Sequence, residues 1–346
     1  MGTGMKSAST ESGKKFENQV AGHMNILSSE DDSIIMKPCL TAEREFYEQS
    51  PCFPDLLPFL ASYMGTLTSA QPEQVSSYES VPTVSTISVV TEIPDAENIL
   101  FSRTLKNGVE SLTTNPKARY ICLENLLCTF SKPSVLDLKL GTVLVDHLAS
   151  EEKKKRMYAK ALATTTHDLG IRVTGMKVYD HTTGQYEVYK RDFGVNLNKD
   201  TAISAFEKFI PARIPQHIRI ELIESFIERL QDFGSVLKTI PARLVASSLL
   251  FIYEGDLDVF EEKMVEYQAL CAAPSPADSQ EDYCSEDLMG PPFDLKLIDF
   301  AHSFFLPSEM LPNPYNFPRG VEGPDAGCLL GVSTTLNFLK SLRKQV

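Results

Sequence analysis

The chain has 346 residues, 42% hydrophobic and 23% charged, enough to bury the core of one large domain or of two lobes. Its formal net charge of −13 excludes a general nucleic-acid binder, so any anionic ligand must meet a local basic patch. Seven cysteines without a CxxC pair speak against a disulfide framework or zinc site, and no apolar run is long enough to span a bilayer or serve as a leader.

Taken in chain order, residues 1–16 are polar and read as a disordered N-terminus. Ser33–Lys37 reads as a strand ending on a lysine. Thr41–Glu48 reads as the start of a helix, with Thr41 as N-cap and Glu43 and Glu45 near its first turn. Residues 70–95, rich in Ser, Thr, Val and Pro, read as an insertion with a short strand near Thr86–Val90. Arg119–Leu123 and Ser134–Leu140 read as strands. Ser150–Ala163 reads as a helix capped by Ser150. Gly170–Tyr179 and Gln185–Tyr189 form a hairpin around Thr182–Gly184, and two helices follow near 200–210 and 216–234. Leu244–Tyr253 and Asp294–Asp299 read as paired strands, separated by an acidic, Pro-containing insertion near 272–292. Asp325–Leu342 closes the chain as a helix.

The predicted organisation is an N-lobe over 17–126 and a C-lobe over 127–346. That layout is a kinase's, yet the sequence has no HRD, DFG, GxGxxG or Walker A motif, which excludes ordinary protein kinases and P-loop enzymes.

The chemistry concentrates in Pro133-Ser134-Val135-Leu136-Asp137-Leu138-Lys139-Leu140-Gly141. On a strand, Asp137 and Lys139 share a face. Two charges in an apolar run are costly unless they pair with each other or meet a ligand. A second apolar strand ends in Ile298-Asp299-Phe300-Ala301-His302, where an unpaired Asp is equally costly. A Ser pair stands at Ala246-Ser247-Ser248-Leu249-Leu250. On the helix over 150–163, Lys153, Arg156, Met157 and Lys160 fall on one face. Such a stripe is either a solvated face or a site for an anion; Lys154 and Lys155 point elsewhere.

These blocks, PxxxDxKxG, SSLL and IDFAH, resemble the inositol polyphosphate kinases. Glu124-Asn125-Leu126-Leu127, Phe130-Ser131-Lys132-Pro133 and Ala149-Ser150-Glu151-Glu152-Lys153 look most like fungal multikinases of that family, with inositol hexakisphosphate kinases the alternative. The resemblance covers roughly 17–47, 118–210, 241–256 and 293–340. It implies an α+β, two-lobed kinase-like fold of the SAICAR synthase type, with antiparallel sheets and helices near 150–235 that hold the inositol phosphate.

It also implies roles. ATP and Mg²⁺ are the cofactors. Gln19-Val20-Ala21-Gly22-His23 covers the nucleotide, Lys37 contacts its phosphates, and Glu43 holds Lys37. Backbone groups of Glu124 and Leu126 pair with adenine. Asp137 binds the ribose, and Lys139 lies between the γ-phosphate and the acceptor hydroxyl. Asp299 holds the metal, Ser248 lies near the triphosphate, and Lys153, Arg156, Lys160 and His302 hold the acceptor. Inositol phosphates are the expected substrates, a phosphoinositide headgroup a further one, and a monomer of nucleus and cytoplasm is expected. The acidic insertion offers a protein-docking segment, so a non-catalytic signalling scaffold stays as a second class of function. Phe193-Gly194-Val195 stands where many members carry Tyr-Gly-Arg, which leaves the position of phosphorylation open.

Overall fold

A computed structural model describes residues 14–15, 26–29, 31–68, 89–90, 119–146, 148–272, 290–306 and 323–346. The expected nucleotide-covering segment, 19–23, and most of the insertions at 70–95 and 272–292 lie outside the described residues. The chain divides into two compact units. One takes Ser62–Asn125 with residues up to Leu40; the other takes Thr41–Ala61 and Leu126–Val346.

The first unit is a six-stranded antiparallel sheet. Its strands are β1 (Lys14–Lys15), β2 (Leu27–Ser28), β3 (Ile34–Pro38), β4 (Tyr63–Thr68), β5 (Val89–Val90) and β6 (Arg119–Glu124), in the order β1-β2-β3-β6-β4-β5. Ile34, Met36, Leu67 and Cys122 make its buried core. The turn before β3 is fixed by Asp31, whose carboxylate accepts from the Ser29 and Ser33 hydroxyls at 2.5 and 2.8 Å. Those bonds hold the Asp31 carboxyl below the usual range, the Ser29 hydroxyl contributing most.

The second unit opens with α1 (Thr41–Gln49). Thr41 is the first helical residue rather than the cap. This segment interrupts the expected 17–126 lobe, and the reason is aromatic. Phe46 stacks on Phe300 at 4.1 Å and on Phe305 at 4.5 Å, and Phe53 stacks on Phe305 at 4.4 Å, so α1 and the turn after it share the second unit's core.

The sheet that carries the chemistry follows. Its strands are β7 (Pro133–Leu140), β8 (Ile171–Asp180), β9 (Gln185–Tyr189), β11 (Ser248–Glu254) and β12 (Phe293–Ile298), all antiparallel, in the order β12-β11-β7-β8-β9. The short strands β10 (Ala242–Arg243) and β13 (Phe304–Phe305) pair separately. Strand β7 is central. Val135, Leu136, Leu138 and Leu140 are all buried, as a strand covered on both faces requires.

Helices α2 (Glu151–Leu162) and α3 (Thr165–Leu169) connect β7 to β8, and α4 (Arg191–Val195), α5 (Ile203–Phe209) and α6 (Gln216–Thr239) follow β9. Ser150 caps α2 by accepting from the Lys153 N–H, as its sequence position predicts. Along α6, Ile218, Leu222, Phe226, Leu230, Phe233 and Leu237 form a buried stripe at helical spacing. Helices α7 (Leu257–Ala272) and α8 (Ala326–Lys344) complete the unit, with Asp325 as the N-cap of α8.

Two predicted strands have different bounds from those expected. The strand through the Ser pair is shorter and begins at Ser248, because Ala246 has φ +56°. The last one is shifted by one residue to Phe293–Ile298 and stops there, because Asp299 has φ +67°. A left-handed residue cannot continue a β ladder.

Candidate active site

The site is built on β7. Lys139 lies opposite Ser248 of β11 on one side and Arg172 of β8 on the other. Asp137, two residues earlier, lies on the same face, opposite Gly175, with an irregularity in the β8 pairing just after it. The Lys139 ammonium donates to the Ala246 carbonyl at 2.6 Å and stands 3.9 Å from the Asp299 carboxylate. Its side chain is 15% exposed.

Asp137 is 7% exposed, and its Oδ1 has no hydrogen-bond partner among the described residues. Burial holds its carboxyl above the usual range. Lys139 opposes that shift and Asp299 adds to it, while the hydroxyls of Thr174 and Ser248 oppose it more weakly. The Ser247 hydroxyl, fully buried, also lacks a partner among the described residues, while that of the equally buried Ser248 faces Asp137. Buried polar atoms of this kind are rare unless a ligand or water meets them.

Asp299 is less enclosed, with 35% of its side chain exposed. Its turn is fixed from behind. The buried Glu43 carboxylate accepts from the N–H of Phe300 at 3.3 Å, and Tyr47 meets the Phe300 ring edge-on. Burial pushes the Tyr47 phenol well up, and the charges of Glu43 and Asp299 push it further.

A group of cations extends the site from Lys139. Lys160, in the last turn of α2, has its amine held below the ordinary lysine value by burial and then by Arg172, Arg191 and Lys139. Arg172 is 7% exposed, and its Nη1 has no hydrogen-bond partner among the described residues. Burial and Arg191 lower its pKa, against the pull of Asp137. Bringing Lys139, Lys160, Arg172 and Arg191 together costs energy that a polyanion would return.

The structure thus brings Asp137, Lys139, Ser248, Asp299 and Lys160 into one neighbourhood, with Glu43 behind it. Lys153 lies two turns before Lys160 and is half-buried, whereas Arg156 is exposed. Lys154 pairs with Glu151 at 2.9 Å, as a side chain off the stripe. His302 is held by Asp146, Nδ1 to Oδ2 at 2.9 Å.

Lys37 lies on β3 of the first unit. Glu124 ends β6, where its carboxylate accepts from the Ser62 N–H and hydroxyl at 3.1 and 2.9 Å, and the two units divide between Asn125 and Leu126. Asp137, the residue expected to bind the ribose, is enclosed, with an unpartnered Oδ1 among the described residues and the charges of Lys139 and Asp299 acting on it.

Sequence reasoning missed Arg172, Arg191 and Asp146. Arg172 carried a readable signal, a charge between Ile171 and Val173 on an apolar strand. That is the same anomaly that marks Asp137 and Lys139. Arg191 opens α4 beside Lys190 and Asp192, where a charge is no anomaly, and Asp146 stands in the loop after β7.

A cluster of cations around a pinned lysine, beside an exposed aspartate, defines a site for a phosphorylated ligand. Comparison with known proteins agrees. The family model for inositol polyphosphate kinase matches residues 120–340. An inositol polyphosphate multikinase of Schizosaccharomyces pombe is 30% identical over 84% of this chain and 88% of its own. That of Saccharomyces cerevisiae is 28% identical over 71% and 74%. Inositol hexakisphosphate kinase 1 of Rattus norvegicus is 30% identical, over 66% of this chain but 52% of its own. Among solved structures, the inositol phosphate multikinase of S. cerevisiae in complex with ADP and Mn²⁺ superposes with a TM-score of 0.59 at 25% identity. The match covers 90% of this chain and 99% of that one. The chain belongs to the inositol polyphosphate kinase family.

Proposed function

We propose that this protein transfers the γ-phosphoryl group of ATP to hydroxyls of inositol polyphosphates, as a multikinase acting on inositol trisphosphate and its product. The observation that carries the reading is the convergence of Lys160, Arg172 and Arg191 on Lys139 in a chain of net charge −13. Acidic residues outnumber basic ones in this chain, yet cations gather here, where a multiply phosphorylated acceptor needs them. The fuller coverage of the multikinase relatives favours that type over the hexakisphosphate kinases.

The residues also fit a nucleotide and its metal. Among the described residues no three His, Cys, Asp or Glu side chains cluster as a metal cage. Mg²⁺ does not ask for one: it takes one or two carboxylates and completes its shell with phosphates and water. Asp299, partly exposed beside Lys139, is the carboxylate that would hold it. The bound metal would neutralise charge on the phosphate oxygens. The buried hydroxyls of Ser247 and Ser248 would donate to phosphate as well.

Phosphoryl transfer is mostly positioning and electrostatics. Lys139 is placed to neutralise charge on the transferring group and on the attacking acceptor oxygen. Lys160, Arg172 and Arg191 hold the acceptor's other phosphates, with Lys153 and His302 flanking. Lys37 on β3 serves the ATP phosphates.

The test is product analysis by ion-exchange chromatography with MgATP. Separate reactions offer inositol 1,4,5-trisphosphate, inositol hexakisphosphate and a phosphoinositide in mixed micelles, with Lys139→Ala as control. Stepwise formation of tetrakis- and pentakisphosphate, lost in Lys139→Ala, is expected. Pyrophosphate products from the hexakisphosphate alone would make the protein a hexakisphosphate kinase. Turnover of the lipid alone would assign a lipid kinase, and no turnover of any acceptor would leave the scaffold reading.

A further inference from the structure

We infer that the backbone of Ala246 is a positioning device for Lys139, an inference that rests on the phosphoryl-transfer reading above. Three non-glycine residues among those described have positive φ: Asp32, Ala246 and Asp299. The last two meet at one atom, the Lys139 ammonium, which touches the Ala246 carbonyl at 2.6 Å and faces Asp299 at 3.9 Å. Left-handed alanine is costly and persists only where its surroundings fix it. Here they do. The Ala246 N–H donates to the Val143 carbonyl at 3.3 Å, and the next carbonyl, that of Ser247, accepts from the Leu140 N–H at 2.9 Å. Held on both sides, the strand cannot begin until Ser248, and the Ala246 carbonyl is turned out of the ladder towards Lys139.

The consequence is chemical. A closed charge-assisted lysine–aspartate bond spans about 2.7–2.9 Å, whereas Lys139 stands 3.9 Å from Asp299. The neutral carbonyl, closer than the carboxylate, satisfies the ammonium without cancelling its charge. Lys139 keeps its charge for the transferring phosphoryl group and stands 3.9 Å from Asp299, the carboxylate that would hold the metal. Ala246 is therefore a positioning residue that acts through its main chain. The side chain at 246 matters only through the φ it permits.

The experiment compares Ala246→Gly, which tolerates the left-handed region, with Ala246→Val, whose branched Cβ opposes it. Circular dichroism and thermal melting confirm folding. In Ala246→Val, kcat should fall at least about tenfold while KM for ATP and for the inositol phosphate stays within about twofold. Its half-saturating Mg²⁺ concentration should rise several-fold, because Lys139 closes on Asp299. Ala246→Gly should rescue both values. If the valine variant does not fold, Ala246→Asn and Ala246→Leu replace the pair, since Asn tolerates the left-handed region and Leu does not. A valine or leucine variant with parental kcat and Mg²⁺ dependence would overturn the inference, as would a glycine or asparagine variant equally impaired. Lys139→Ala separates the two readings. If it turns over normally, the transfer reading itself falls; if it is inactive while Ala246→Val is fully active, only the role of Ala246 falls.

Discussion

The Lys160 amine titrates below the ordinary lysine value of 10.5 because it is partly buried and faces Arg172, Arg191 and Lys139. A polyphosphate bound there would cancel that repulsion and raise its pKa. Two results are expected as pH rises into the alkaline range. KM for the inositol phosphate should climb before ordinary lysines titrate, because Lys160 loses its charge early. Binding in that range should take up protons, which titration calorimetry in buffers of different ionisation enthalpy measures directly. Lys160→Met should abolish the proton uptake; an unchanged uptake would place the acceptor elsewhere. Asp137 shifts the opposite way, because an enclosed carboxylate is penalised in its charged form. Its folded-state pKa lies above the unfolded one, so its ionisation lowers stability as pH rises through that folded value. Asp137→Asn should therefore melt no lower than the parent at neutral pH while losing activity. A marked fall in Tm would mean that the carboxylate is structural.

At the scale of elements, most of the architecture was legible. The alternation of Val135, Leu136, Leu138 and Leu140 around two charges marks a central strand, and β7 is one. Ser150 and Asp325 announce the starts of α2 and α8 and do cap them. The start of β11 was not legible, since alanine does not signal a left-handed residue, and the end of β12 was only weakly so, since aspartate visits that region occasionally. The docking of α8 was also hidden. Gly331 of α8 lies so close to the turn before β8 that an added Cβ would stand 2.3 Å from the Gly170 carbonyl. Gly170 itself has φ +65° and its own carbonyl accepts from the Gly141 N–H at 2.8 Å, just after the lysine strand. Gly331→Ala must therefore push α8 off β7 and β8. A loss of about 1–3 kcal/mol is expected by chemical denaturation, the range for overpacking a close contact. A neutral effect would show that α8 docks more loosely.

For the whole molecule, net charge and site charge have opposite signs. A −13 surface repels a polyphosphate at long range, and the Lys139–Lys160–Arg172–Arg191 group attracts it at short range. Raising ionic strength from about 0.01 M to about 1 M shortens the screening length from about 30 Å to about 3 Å. The long-range repulsion is screened first, so KM for the inositol phosphate should fall with the first added salt and rise several-fold only towards about 1 M, where the short-range attraction weakens, with kcat little changed. Steady-state kinetics across that range check this; a salt-independent KM would mean that neutral hydrogen bonds carry the recognition.

The sequence by itself determined most of the chemistry-bearing strands and the helices α2, α6 and α8, the motif blocks and hence the family, but not β4 or α7. It did so because periodicity, capping and charges in apolar runs are local properties of the chain. Only the tertiary structure decided which groups meet. Lys139 finds Arg172 through the register of β7 on β8, and Lys160 joins them through the return of α2. The Ala246 carbonyl reaches the ammonium through a backbone angle that no residue type there announces. Thr41–Ala61 joins the second unit because Phe46 and Phe53 find Phe300 and Phe305, more than two hundred residues away. Contacts at such separations depend on register and packing, and neither is written in the local pattern of the sequence.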